Sequence, residues 1–309
     1  MKDLSILPPH IFREYDVRGI AEVDLTPQAV EIIGRSYASL LRESLSPLPT
    51  SRPPRVAIAR DVRKSSPSLA AALIQGIRGE GLDILNLGIC PTPLLYFSLF
   101  QLEVEGGIMV TGSHNAPEYN GLKLCLGREA LHGPSIQRLR EIGNQLSSSP
   151  RRPRRKGGVQ DYPIIPHYLA WMNDHFRPLL PPRPQARADL PGEIKVVIDA
   201  GNGTGGLVGP SLLRSLGSRV VELHCEPDGS FPHHHPDPTI PQNLDDLIDR
   251  VKAEDAHLGI AYDGDADRIG VVDASGQPVW GDRLMLLFAR EILSSQSLSS
   301  ESPPLFIGE

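Results

Sequence analysis

Short apolar runs alternate with amphipathic stretches along most of this chain. RVAIARD (55–61), rich in Val, Ile and Ala, predicts a short buried strand. SPSLAAALIQGIRGEG follows as a helix, with Ser66 as candidate N-cap, Pro67 at the first helical position and Gly79 or Gly81 closing it. LDILNLG (82–88) and GGIMV (106–110) predict two more strands, with a helix over TPLLYFSLFQL (92–102) between them. Strands alternating with helices of this length imply βαβ units and a largely parallel sheet.

The same pattern returns after residue 195. KVVIDAGNGTGG (195–206) is a strand running into a glycine loop, LVGPSLLRSLG a helix and RVVELHC (219–225) a strand. NLDDLIDRVKAEDA (243–256) predicts an amphipathic helix, apolar at Leu244, Leu247, Ile248 and Val251. LGIAY (258–262) is a strand and GDRLMLLFAREIL (281–293) a helix. Between the halves, the small, proline and basic residues of SSSPRRPRRKGG (147–158) break the periodicity and read as a solvated connector. RPLLPPRPQARADLPGE (177–193) reads as a surface excursion.

The expected organisation is a first domain at 1–148, a basic, proline-containing linker at 149–157, a second domain at 158–277 and the start of a third at 278–309. The fold class is α/β, with successive βαβ domains on mixed, mainly parallel sheets. The final PPLFIGE reads as a strand that has only begun, so a fragment of something longer is expected.

Composition narrows the function. The 309 residues are 40% hydrophobic and 22% charged, ordinary for a soluble globular chain of about two domains. A net charge of −6 and a pI near 5.9 argue against nucleic acid or an anionic membrane as a partner. Three scattered cysteines, Cys90, Cys125 and Cys225, form neither a disulfide framework nor a zinc knuckle, and a cytoplasmic location is expected. No apolar run is long enough to span a membrane, and the first ten residues lack a signal-peptide core.

The chemistry concentrates in two loops, each just past a predicted strand. YDGDADRIGVV places Asp263, Asp265 and Asp267 at alternate positions. Carboxylates so crowded require a cation. The EF-hand pattern fails, because Arg268 and Ala274 stand where that loop needs glycine and glutamate. A hard divalent ion, Mg²⁺, fits three oxygen donors and leaves positions for phosphate oxygens. The plain alternative is a hydrated acidic turn.

A phosphate carrier is offered by VTGSHNAPEYNGLKL, where Ser113 and His114 follow a strand through Gly112, and Lys123 adds a cation. Adjacent side chains rarely face one another as nucleophile and base, and the G-x-S-x-G elbow is missing, so a hydrolase triad is not indicated. The plain alternative here is a hydrogen-bonded turn.

Gly201, Gly203 and Gly206 fit G-x-G-x-x-G, and Glu222 falls where the dinucleotide fingerprint places an acid. Asp199, two residues before the first glycine, is a poor neighbour for a pyrophosphate, and a tight packing turn is the rival account. In FPHHHPDP (231–238), three consecutive histidines splay apart, so a proline-stiffened loop with solvated imidazoles is expected.

With IFREYDVRG, TGSHNAPEYNGLK, DAGNGTGG, GSFPHHHPDP and DGDADRIG in this order, the chain resembles the α-D-phosphohexomutase superfamily, in particular its bacterial phosphomannomutase/phosphoglucomutase branch. The resemblance implies a phosphoryl group on Ser113, and Mg²⁺ held by Asp263, Asp265, Asp267 and the phosphoserine. It implies catalytic roles for Arg18, Lys123 and Arg268, a substrate cleft lined by Tyr15, Arg18 and Lys123, and His114 as general acid/base. It implies an isomerase of carbohydrate metabolism moving phosphate between C1 and C6 of mannose or glucose. The route is a hexose 1,6-bisphosphate, with glucose or mannose 1,6-bisphosphate as activator.

It also implies that the glycine loop binds no dinucleotide. Ala116 replaces a proline found in many relatives. Family members have four domains, so this chain is expected to keep the phosphoserine and metal half while isomerising sugars poorly or not at all. The expected partners are a hexose phosphate and at most a second copy, with neither nucleic acid nor membrane. The alternatives are a non-catalytic Mg²⁺- or phosphosugar-binding protein, a dinucleotide oxidoreductase, and a phosphatase using Asp263. The choice of sugar and the oligomeric state are not readable.

Overall fold

The computed structural model describes residues 7–45, 52–148, 156–180 and 193–295. The basic connector at 149–155, most of the proline-rich excursion and the terminal PPLFIGE lie outside the described residues. The first half comprises β1 (Val17–Ile20), α1 (Pro27–Ser44), β2 (Arg55–Arg60), α2 (Ser66–Gly79), β3 (Asp83–Ile89), α3 (Thr92–Gln101), β4 (Gly106–Val110), β5 (Tyr119–Leu126), β6 (Glu129–Ala130) and α4 (Pro134–Ser148). It continues through β7 (Val159–Asp161) and α5 (Ile164–Phe176). The second half comprises β8 (Lys195–Asp199), α6 (Gly209–Ser215), β9 (Arg219–Leu223), α7 (Asp245–Ala253), β10 (Leu258–Tyr262), β11 (Ile269–Asp273), β12 (Pro278–Val279) and α8 (Gly281–Ser295).

The strand period of two explains the layering. Along β2, Val56 and Ile58 enter a core under α1, α2 and α4, while Ala57 and Ala59 enter a second core under α3 and α5. β4 divides likewise, Ile108 and Val110 against Met109. In the second half, Val197 of β8 packs beneath α7, whereas Val196 and Ile198 face the opposite side. Strands apolar on both faces read as continuous hydrophobic runs, which is why the sequence announces them.

The first sheet runs β1-β5-β4-β2-β3-β7, with β6 on β5, and the second β12-β11-β10-β8-β9. β4, β2, β3 and β7 are mutually parallel, as are β10, β8 and β9. β1, β5 and β11 supply the antiparallel part. β5 escapes pattern reading because Gly121 and Lys123 interrupt its apolar residues. Leu122 and Leu124 still fill the first core, and Lys123 projects from the other face. β7 lies beyond the connector, within the expected second domain, yet hydrogen-bonds to β3 and extends the first sheet.

One expected cap is displaced. α2 has Ser65 at its N-cap position, and the Ser66 hydroxyl instead donates to Asp61 Oδ1 at 2.5 Å. A buried carboxylate is the stronger acceptor. Gly81, φ +87, follows the end of α2 as expected. Among the described residues no helix is long and apolar enough to cross a membrane. α8 presents Leu286, Leu287 and Phe288 to solvent.

Leu247→Ala, at a fully buried site on α7, is expected to lower unfolding free energy by about 2–5 kcal/mol. Leu286→Ala, at 71% exposure, is expected to stay within about 0.5 kcal/mol of the parent. Denaturant midpoints with unchanged slopes check both. Equal effects would contradict the burial described here.

Candidate active site

Polar side chains collect where the parallel strands end. Asp61 and Arg63 follow β2, Thr92 opens the helix after β3 and Ser113 follows β4. From the second sheet, Asp199 ends β8, His224 follows β9 and Asp263 follows β10. Carboxyl ends of parallel strands are where open α/β sheets place ligands. Here two sets of such ends face one another. Ser113 Oγ donates to Asp263 Oδ2 at 2.8 Å, across 150 positions of sequence.

The backbones meet as closely as the side chains. A Cβ on Gly264 would stand 2.5 Å from the Ser113 carbonyl oxygen, and one on Gly203 2.5 Å from the Gly264 carbonyl oxygen. Only glycine permits this stacking of three loops. Thr204 N donates to the Gly264 carbonyl at 3.0 Å and fixes the middle layer. The glycine motif therefore packs against the aspartate loop. Glu222 pairs with Arg214 at the surface, at 2.5 Å. That overturns the dinucleotide alternative, because Gly203 and Gly206 are closed by protein backbone and Gly201 by Pro236 and His234.

Ser113 itself has φ +51, a left-handed conformation costing roughly 1 kcal/mol or more for a residue with a side chain. Arg63 holds the loop in that shape. Its guanidinium donates to the carbonyls of Ser113 (2.7 Å), Asn115 (2.5 Å), Ala116 (2.6 Å) and Tyr119 (3.0 Å). It also pairs with Asp61 at 3.2 Å, and both side chains are fully buried. Asp61 accepts from Gly112 N at 3.2 Å, so the pair grips the loop from both sides. Burial raises the Asp61 carboxyl above its usual range, with Arg63 opposing, and lowers the Arg63 guanidinium.

Asp263, Asp265 and Asp267 bring one oxygen each to within 4.8 Å of the others. Asp263 and Asp265 are fully buried. Asp263 Oδ1 accepts from the amides of Asp267 and Arg268, both at 3.0 Å, which leaves Oδ2 for the serine. Asp265 Oδ2 accepts from Thr92 Oγ1 at 2.5 Å and from Lys123 Nζ at 2.7 Å, and Lys123 also bonds Asp267. Burial, then the charges of Asp265 and Asp267, push Asp263 upward. Burial acts the same way on Asp265, but Lys123 outweighs it and holds this carboxyl low.

One ammonium against three carboxylates leaves negative charge in a dry site. Asp265 Oδ1 is buried with no hydrogen-bond partner. An orphaned carboxylate oxygen beside an all-oxygen donor set fits a hard divalent cation such as Mg²⁺.

The sequence-predicted residues are distributed as follows. Ser113 and the three aspartates converge. His114 Nδ1 lies 3.2 Å from Ser113 Oγ, so these neighbours do meet, contrary to the expectation that adjacent side chains diverge. The left-handed backbone at Ser113 turns the two side chains together. Burial, and next the charge of Arg268, lower the His114 pKa. Arg18 is buried and donates to Asn115 Oδ1 and Asp16 Oδ2, both at 2.5 Å. Lys123 faces the aspartates. Arg268 is exposed, with its backbone in the aspartate loop, and Tyr15 is 74% exposed.

Sequence reading missed Arg63, Asp61 and Thr92. The available signal was polar residues directly after the strand RVAIARD and at the head of TPLLYFSLFQL, positions that strand-end placement marks. FPHHHPDP also departs from expectation: His234 is partly buried, 3.0 Å from Asp199 Oδ2, and His233 stacks on His224 at 3.9 Å between ring centroids. The buried Asp199 carboxylate draws the loop inward.

Residues 9–148 match the family model for phosphoglucomutase/phosphomannomutase, alpha/beta/alpha domain I, and residues 174–276 that for domain II. A phosphomannomutase/phosphoglucomutase of Pseudomonas aeruginosa is 43% identical over 290 residues, 93% of this chain and 57% of that protein. A phosphoglucomutase of Neisseria meningitidis serogroup B is 39% identical over 284 residues, 92% of this chain and 57% of that protein. A crystal structure of a phosphoglucomutase/phosphomannomutase family protein from Burkholderia thailandensis superposes with a TM-score of 0.80 at 36% identity, covering 95% of this chain and 60% of the other. The chain spans a little over half the length of the curated relatives it matches. Its two sheets, the loops at their facing ends and these matches agree: the chain belongs to the phosphoglucomutase/phosphomannomutase family, of which it carries domains I and II.

Proposed function

We propose that this chain carries the phosphoryl-transfer half of a hexose-phosphate mutase, interconverting hexose 1-phosphate and hexose 6-phosphate of mannose or glucose. In this reading the unit at 1–148 supplies the serine and the unit at 158–277 the carboxylates. The observation that carries it is the 2.8 Å contact between the Ser113 hydroxyl and Asp263. A phosphoserine there is close to doubly anionic. It is tolerable beside an acidic triplet only if a divalent ion is shared between them.

Asp263, Asp265, Asp267 and an oxygen of the phosphorylated Ser113 would hold Mg²⁺. When bound, the ion neutralises charge on the transferring group. The rest falls to the chain's own side chains. Transfer breaks the bond between phosphorus and Ser113 Oγ and forms one between phosphorus and a sugar hydroxyl. The hydroxyl proton needs an acceptor, and His114 Nδ1, 3.2 Å from Oγ, is within reach. Arg18 and Lys123 would supply positive charge at the cleft, with exposed Arg268 at its edge, while exposed Tyr15 would meet the sugar. A hexose 1,6-bisphosphate is the product of that step, and returning its other phosphate to Ser113 completes the exchange. Phosphoryl transfer depends mainly on alignment and charge stabilisation, which matches a site built from fixed loops.

Incubation with glucose 1,6-bisphosphate and Mg²⁺ is expected to add one phosphoryl group on Ser113, read by intact mass and peptide mapping. Ser113→Ala abolishes it, and Asp265→Asn slows it roughly a hundredfold or more. Label on Asp263 would identify a phosphatase-type intermediate instead. Mg²⁺ binding without any label would leave a non-catalytic binding protein.

Arg63 acts as a positioning residue in this scheme. Arg63→Met is expected to cost about 3–5 kcal/mol of stability, because buried Asp61 loses its counter-charge and the loop carbonyls lose their donor. Adding Asp61→Asn is expected to recover part of that loss. A single variant as stable as the parent would show that the guanidinium does not hold the loop.

A further inference from the structure

The three consecutive histidines do not act together, but one joins a different group. The His234 ring meets an acceptor on both sides. Nδ1 lies 3.0 Å from its neighbour His235's carbonyl oxygen, and Nε2 lies 3.0 Å from Asp199 Oδ2. A neutral imidazole has one N–H and can serve only one of them. With the proton on Nδ1, Nε2 directs a lone pair at a carboxylate that is 1% exposed. A positive species belongs between those two atoms, either a second proton or a metal ion.

His224 distinguishes these cases. One ring nitrogen of His224, one of His234 and one oxygen of Asp199 all lie within 4.8 Å of one another. A shared proton needs only two of those groups, and a third donor adds nothing to it. An ion needs all three. The donors are also individually fixed, as ligands usually are. Asp199 Oδ1 accepts from Gly201 N at 2.8 Å, and the His235 carbonyl sets the His234 tautomer. Asp246 Oδ2 lies 3.0 Å from His224 Nε2, and His233 stacks on the same ring. His224 keeps a left-handed backbone, φ +49, to stand there. A groove of about 370 Å³, lined by His224, Asp246, Asp249 and Arg250 among others, opens on the His224 side of the cluster.

We infer that Asp199, His224 and His234 form a second metal centre, separate from the aspartate triplet and selective for a borderline divalent transition ion, with Zn²⁺ as its representative. Two imidazoles and one carboxylate suit such ions, whereas Mg²⁺ prefers oxygen alone. Three protein ligands leave a position for water. Bound there, the ion ties the ends of β8 and β9 to the segment 231–238. That segment carries Phe231, whose ring lies 5.1 Å from the Arg63 guanidinium, and Asp237, whose charge acts on His114. The second centre thus braces the serine loop from behind. It does not depend on whether the chain transfers phosphate.

The test is calorimetric titration of the metal-free chain with Zn²⁺ in excess Mg²⁺, repeated with Co²⁺ to read nitrogen ligation from its visible spectrum. One Zn²⁺ per chain is expected with Mg²⁺ present, together with a rise in Tm that grows with Zn²⁺ concentration. His234→Gln and His224→Gln are each expected to weaken binding roughly tenfold or more. Asp265→Asn, which alters only the triplet, keeps it. If His234→Gln unfolds, as far-UV circular dichroism would show, His224→Gln at the groove decides alone. Zn²⁺ binding that survives both histidine variants, that disappears in Asp265→Asn, or that is absent under Mg²⁺ overturns the second centre and leaves a shared proton between His234 and Asp199.

Discussion

A hydroxyl at the end of one sheet meets a carboxylate at the end of another, and the rest of the molecule is arranged around that 2.8 Å contact. Hydrogen bonds tolerate only a few tenths of an ångström of misplacement. Two separate sheets reach such accuracy only if their loops are seated by something stiffer than side chains. Backbone does this here. The glycine loop after β8, the aspartate loop after β10 and the serine loop after β4 lie in van der Waals contact through Gly203 and Gly264. Thr92, from the first sheet, bonds Asp265 through both its amide and its hydroxyl. The interface between the sheets and the candidate active site are therefore the same set of atoms.

Electrostatics explains why that interface is built from charged groups. Buried Asp61, Asp263 and Asp265 and buried Arg18 and Arg63 would each be unfavourable alone in so dry a place. Arg63 donates to carbonyl oxygens through both terminal nitrogens and pairs in charge with Asp61, which also accepts from amide and hydroxyl donors. That network has fixed partners and acts as scaffold. The aspartate triplet has Lys123 as its counter-charge and one carboxylate oxygen with no partner. Unsatisfied charge in a rigid frame is the state from which a site can bind an ion and phosphate oxygens with little reorganisation.

The segment 231–238 links the two halves in a second way. It leaves β9 near His224, places Phe231 against Arg63, and returns with Pro236 and Asp237 beneath the aspartate loop. Proline at three positions limits its conformations, but proline alone does not attach it. The His234–Asp199 contact supplies that attachment. The loop thereby joins the end of β8 in the second sheet to the Arg63 that holds the serine loop of the first.

Sequence alone announced the parallel strands β2, β3, β4, β8, β9 and β10, because βαβ sheets covered on both faces need uninterrupted apolar runs. It singled out Ser113 and the aspartates as candidates as well, since crowded carboxylates and a serine after a strand are unusual locally. Periodicity also placed both loops at strand ends. Tertiary structure decided the remainder. That Gly203 of DAGNGTGG packs backbone on backbone, and is closed to pyrophosphate, depends on Gly264, a partner remote in the chain. Arg63 is one arginine among many until its carbonyl partners, fifty residues on, are seen around it. His234 reads as solvated until Asp199 is found beside it. In each case the deciding partner is remote in the chain, and a local pattern carries no record of which distant group will neutralise a charge or fill a space.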